Sequence, residues 1–194
     1  MDTEILIVRH PETEANVSGR FVGRGDAPYT KRGIRQSRLL VERIATFQPQ
    51  VVWSSPLQRA LQVAQAAAEQ TGVPLEVDER LVELDFGLAE GLTWTEIEAA
   101  GLAFDYRSYD GPVAPEGESR AQIETRSSAF ADALLECGGR HAVCTHGGVF
   151  RAMLVHLLGL SVMDIWAFHI RNGSVAEVRA VDGHGMMEEF RPIG

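Results

Sequence analysis

A chain of 194 residues, 45% hydrophobic and 23% charged, is long and apolar enough to build one core of its own. Its formal charge of -9 has the wrong sign for a nucleic-acid-binding surface, and Cys137 and Cys144 show neither a CxxC nor a zinc-ligand spacing. The acidic start MDTEILIVRH is not expected to act as a signal peptide, and the longest later apolar stretch, 153–170, is interrupted by His156, Asp164 and His169, so no membrane span is expected. The expectation is a single domain over 1–194, cytoplasmic, monomeric or homodimeric, with no membrane or nucleic-acid partner.

In chain order, Glu4–Val8 is a continuous apolar run, the pattern of a short strand buried on both faces. It runs directly into Arg9, His10 and Pro11, and the proline suits the first turn of a short 12–16 segment. Thr30 can cap a helix reaching about Phe47, with Ile34, Val41 and Ile44 on one face. Val51–Ser54 is a second strand. Ser55-Pro56 reads as an N-cap and first-turn proline, and Gly72 closes that helix. Leu75–Val77 is a third strand. Thr93-x-x-Glu96 and Ser119-x-x-Gln122 both fit capping boxes. The Gly/Pro-rich, aromatic stretch 101–118 reads as a loop, and 86–118 as a cap-like excursion. Ala142–Thr145 is a fourth strand, followed by Gly147-Gly148 and a helix to about Leu158. Ser174–Val181 alternates apolar and polar, the pattern of a late edge strand. Strands alternating with helices predict an α/β three-layer sandwich with a mostly parallel central sheet.

This frame brings unusual side chains to the carboxyl edge of the sheet, where open α/β sheets bind ligands. Arg9 and His10 end the first strand, His146 ends the fourth, and Arg59 sits in the first turn after the second. Four groups that carry or accept positive charge in one crevice suit a phosphate. Arginine offers paired planar donors, and the helix starts after Ser55 and His146 offer free N–H groups. In that setting His10 is a candidate nucleophile, since neutral imidazole attacks phosphorus and the phosphohistidine can be hydrolysed afterwards. His146 is a candidate donor to the transferring group. The leaving oxygen needs an acid, and both Glu83 and Asp85 are available. No HExxH-type spacing points to a metal, and no cofactor is expected.

Taken together, RHPETEAN, GRGDAPYTKRGIRQ, SPLQRALQVA, LVELDFGLAEG, PEGES and CTHGGVFRAML resemble, in order, the motifs of the histidine phosphatase family, which includes the cofactor-dependent phosphoglycerate mutases. The match covers residues 5 to about 154, and RNGSVAEV resembles the family's closing strand. The resemblance implies a phosphoglycerate mutase-like fold and a set of roles. His10 would accept the phosphoryl group. Arg9, Arg59 and His146 would clamp it, helped by Asn16 and the Gly147 N–H. Glu83, rather than Asp85, would be the acid and then the base that activates water. Two positions depart from the family pattern: Pro11 replaces the glycine after the histidine, and Val22 replaces a glutamine that reaches the phosphate.

The stretch between Glu83 and His146 is short beside that of the mutases, so water should reach the phosphohistidine. A phosphomonoesterase acting on a small phosphorylated metabolite is therefore favoured over mutase-type transfer, with a non-catalytic phospho-ligand module as the third alternative. ELDFGLAEGLTWTEI resembles the segment of α-ribazole phosphatases and of broad-specificity members, which makes α-ribazole 5′-phosphate one candidate substrate. Arg20, Arg24, Tyr106, Arg107 and Tyr109 are candidate contacts for its non-phosphate half.

Overall fold

The computed structural model describes residues 2–194. Six strands form one sheet: β1 (Thr3–Arg9), β2 (Val51–Ser54), β3 (Leu75–Val77), β4 (Gly139–Thr145), β5 (Ser174–Val181) and β6 (His184–Pro192), in the order β3-β2-β4-β1-β5-β6. The pairs β3–β2, β2–β4 and β4–β1 are parallel, while β1–β5 and β5–β6 are antiparallel. The expected sandwich is observed, with one correction. Ser174–Val181 is not an edge strand, because β6 pairs along its outer side. The β6 sequence HGMMEEFRP carries no clean alternation, which is why its strand character is hidden.

The apolar run of β1 reflects its central place. Leu6 and Val8 pack on one face with Leu40, Ile44 and Phe47 of α2 (Lys31–Phe47) and Val63 of α3 (Gln58–Thr71). Ile5 and Ile7 pack on the other with Phe130 of α5 (Arg120–Cys137) and Phe150 and Met153 of α6 (Gly147–Leu157). Each such buried side chain contributes about 1.5–3 kcal/mol relative to exposure. The buried face of α2 is Gln36, Leu40, Val41, Ile44 and Phe47; the expected Ile34 lies largely exposed, one step around the helix.

Two local readings also change. The helix after β2 begins at Gln58 with Leu57 at its N-cap, so Ser55-Pro56 forms the preceding turn instead. Pro11 lies two residues before Thr13, the N-cap of the short α1 (Glu14–Val17), and is therefore outside that helix's first turn. Both capping boxes form as expected, at α4 (Trp94–Ala99) and α5.

β1 and β4 are neighbours, yet the chain leaves them for opposite faces: β1 leads to α2 and β4 to α6. That divergence opens a crevice at their carboxyl ends. The register pairs Arg9 with Thr145, so His10 and His146 fall side by side just past the last pair.

Candidate active site

The two histidine rings lie 5.2 Å apart between centroids, tilted by 55°. The His10 N–H donates to the Thr145 carbonyl (2.9 Å), which extends the β1–β4 ladder by one residue. The His10 Nδ1 lies 2.7 Å from the Pro11 carbonyl. A carbonyl only accepts, so Nδ1 carries the proton and Nε2 keeps its lone pair. Burial, then the charges of Arg9 and Arg59, lowers the His10 pKa well below its ordinary value and keeps the ring neutral. The proline serves this geometry with its carbonyl, and neither residue 10 nor 11 adopts a positive φ that glycine would be needed for.

His146 is wholly buried, and burial followed by Arg59, His10 and Arg9 likewise lowers its pKa. Its Nε2 is 2.7 Å from Ser55 Oγ, which also accepts the Leu57 N–H. If the hydroxyl proton points to Nε2, the ring proton sits on Nδ1, a buried atom with no partner among the described residues. That tautomer leaves a donor for a ligand.

Arg59 is 3% exposed and held by the loop before it in sequence. Its guanidinium donates to the carbonyls of Val22, Gly23 and Gly25 and pairs with Asp26. The Val22 backbone carbonyl accepts from Arg59 (3.3 Å), while its apolar side chain offers no polar contact. Asp26 also accepts the N–H groups of Gln58 and Arg59 (3.0 and 3.3 Å). The expected free N–H groups at this helix start are therefore already satisfied from within the chain. Arg9 donates to the Ile170 carbonyl (2.6 Å), and its Nε is buried without an acceptor. Burial brings its pKa down to about 10, with Glu83 opposing and Arg151 reinforcing the shift, so it stays charged at neutral pH.

Glu83 faces this group from the other side. Its carboxylate accepts the Gly148 N–H (3.0 and 3.2 Å) and the Leu84 N–H (2.9 Å), which seats it on the start of α6. Arg126 donates to the Glu83 carbonyl and pairs with Glu118, fixing the segment that carries Glu83. Asp85 points elsewhere, accepting the Gly87 N–H and lying 3.6 Å from Arg24.

The remaining expected contacts divide. Gly147 begins α6 close to both guanidiniums: a Cβ there would lie 3.3 Å from the Arg9 guanidinium carbon, a slightly tight contact, and 3.4 Å from Arg151 Nη1, an ordinary one. Asn16 uses its Oδ1 in the α1 capping box and as acceptor for Asn172 (3.0 Å). Arg20 is committed to the Gly91 carbonyl and to Glu96, and Arg24 to Asp85 and Glu118. None of these three lines the pockets beside Glu83. Arg107 does line an open pocket of roughly 700 Å³, together with Tyr106, Arg120, Met163 and Trp166. Tyr106 joins it to an aromatic cluster with Phe21, Phe86 and Phe104 in and beside the 86–118 excursion. Sequence reasoning missed Ser55, Asp26, Arg126 and Arg151 as site residues. Arg151 carried a usable signal, since it stands four residues after Gly147 on the same helix face.

Fold and site define an enzyme of the histidine phosphatase type. The family model of the histidine phosphatase superfamily (branch 1) matches residues 5–191, and the chain belongs to that superfamily. It is 31% identical over 179 residues to "Putative phosphoserine phosphatase 2" of Hydrogenobacter thermophilus, covering 90% of this chain and 88% of that one. It is 32% identical over 180 residues to "Probable phosphoglycerate mutase GpmB" of Yersinia pestis, covering 90% and 84%. Among solved structures, the mycobacterial glucosyl-3-phosphoglycerate phosphatase in complex with VO3 superposes with a TM-score of 0.86 at 26% identity, covering 98% of this chain and 100% of that one.

Proposed function

We propose that this protein hydrolyses a small phosphomonoester through a phosphohistidine at His10, without a metal. The observation that carries the reading is the neutral, Nδ1-tethered His10, set among Arg9, Arg59 and His146 with Glu83 opposite. In the first step Nε2 of His10 forms a bond to phosphorus while the ester P–O bond breaks. Glu83, protonated, gives its proton to the departing oxygen. The arginines and the His146 Nδ1–H stabilise charge that grows on the phosphoryl oxygens, each such donor contributing roughly 10²–10³ in rate. In the second step Glu83 removes a proton from water, the water oxygen bonds to phosphorus, and the P–N bond breaks, returning the electron pair to Nε2.

The 86–118 excursion would form a small cap over the leaving group, with Tyr106 and Arg107 at its entrance. The open pocket beside it favours access of water to the phosphoenzyme, and with it hydrolysis over return of the phosphoryl group to product. The likeness to a phosphoglycerate mutase favours the second reading, phosphoryl transfer between positions of one metabolite. α-Ribazole 5′-phosphate, phosphoserine and phosphoglycerates belong in one screen. Wild type and His10→Ala are to be assayed on p-nitrophenyl phosphate with EDTA present. Full activity in the mutant would sink the mechanism. Isomerisation of 3-phosphoglycerate with a bisphosphate primer, without free phosphate, would select the mutase reading.

A further inference from the structure

Arg151 is the site guanidinium that the chemistry above leaves without a task. Its Nη1 donates to the Gly147 carbonyl (3.2 Å), while its Nε is buried with no acceptor. Among the described residues it enters no ion pair, whereas Arg59 pairs with Asp26 and Arg120 with Glu124. Burial lowers its pKa, opposed by the nearby Glu83. The Trp166 ring covers its face at 5.3 Å, leaving the edge donors of the guanidinium for another group.

Its position indicates which half of a substrate it meets. Arg151 lines a narrow cavity of about 30 Å³ with Glu83, Ile123 and Gly148, and this cavity shares Tyr106, Arg120 and Trp166 with the open pocket. Attack by His10 is in line, so the leaving oxygen departs toward Glu83. Groups on the far side of Glu83 therefore face the alcohol. Arg9 and Arg151 both approach Gly147, two like charges, and among the described residues Glu83 is the carboxylate that acts on both. A ligand with two neighbouring anionic groups would satisfy both guanidiniums at once, one per group.

We propose that Arg151 holds a carboxylate of the leaving alcohol, so that the preferred substrates are short phosphomonoesters carrying a carboxylate a few atoms from the ester oxygen. This rests on the phosphohistidine reading above. The planar fork of arginine matches a carboxylate with two parallel hydrogen bonds. An alcohol without that group leaves this half-buried guanidinium with the nearby Glu83 and the Gly147 carbonyl alone.

The test compares kcat/KM for phosphoserine against phosphoethanolamine and for 3-phosphoglycerate against glycerol 3-phosphate, in wild type, Arg151→Gln and Arg151→Lys. Wild type should favour the carboxylated member of each pair. Arg151→Gln should lower that member by roughly 10- to 100-fold, the loss of a charged hydrogen-bonded pair, and move the other by less than about 3-fold. Arg151→Lys should keep part of the preference. A wild type indifferent to the carboxylate, or an equal loss on both members in Arg151→Gln, overturns the assignment. Absence of any turnover and of a trapped phosphoenzyme in wild type would instead overturn the phosphohistidine reading beneath it.

Discussion

Gly148→Ala tests the proposed role of Glu83 apart from the rest of the site. A Cβ at this position would stand 2.5 Å from Glu83 Oε1 and 2.9 Å from Ile123 Cδ1. Ordinary contact begins near 3.4 Å, so the carboxylate must retreat by about 0.9 Å. Both obstructions are the ends of side chains, and Gly148 has no positive φ, so the helix accepts alanine and gains up to about 1 kcal/mol of propensity. The fold should therefore hold while the acid moves. A displacement near 1 Å in a reacting group costs on the order of 10²-fold. The expected result is a roughly 100-fold lower kcat/KM on an alkyl phosphate, whose oxygen needs a proton to leave. On p-nitrophenyl phosphate, whose anion leaves unaided, the bond-breaking step should change by less than about tenfold. Burst-phase release of p-nitrophenol reads that step alone. Equal losses on both esters, or no loss on the alkyl phosphate, would refute the placement of Glu83 as the acid.

The buried histidines make stability pH-dependent. Both folded pKa values lie below the ordinary 6.5, so the unfolded chain takes up protons first and stability falls as pH drops through 6.5, by at most about 3 kcal/mol per pH unit for the pair; urea denaturation between pH 7.5 and 5.5 measures it, and a midpoint flat over that range would contradict the burial argument. In the free enzyme at pH 6.5, the His10 nitrogen shifts in a ¹⁵N spectrum should show a neutral ring protonated at Nδ1, and a doubly protonated ring would remove the nucleophile. Asp26→Ala should cost about 1 kcal/mol for the lost helix cap, yet reduce kcat/KM by less than about tenfold, because three carbonyls still hold Arg59; a 100-fold loss would make Asp26 the main support. Gly23→Ala should be far more damaging, since its Cβ would lie 1.9 Å from the Leu84 carbonyl, backbone next to the acid; an unchanged melting temperature would show that the two segments yield more easily than their packing suggests.

The motif GRGDAPYTKRGIRQ shows how local pattern and tertiary use differ. From sequence Arg24 is this motif's candidate ligand contact and Thr30 its helix cap, and the other polar residues have no assigned part. In the fold most of them are scaffold: Asp26 caps α3, Gly33 allows α2 to approach the Glu12 carbonyl, and Gln36 accepts the Glu12 N–H. They hold the two segments that carry Arg59 and His10. Arg20 and Arg24 likewise turned to carboxylates nearby, a choice no spacing reveals.

The alternation of strands and helices, β6 apart, is legible in the residues alone, because hydrophobic period and capping residues act within a few positions of one another. The sequence also determined that Arg9, His10 and His146 end their strands, since a continuous apolar run cannot continue through them. Only the tertiary structure decided that β1 and β4 are neighbours in a register setting His10 beside His146. It alone seated Glu83 on the α6 N-terminus and placed Arg151 on the Glu83 side of the crevice. It alone covered β5 with β6. Each of these depends on contacts between residues far apart in the chain, where the free energy of packing, not local preference, chooses the partner.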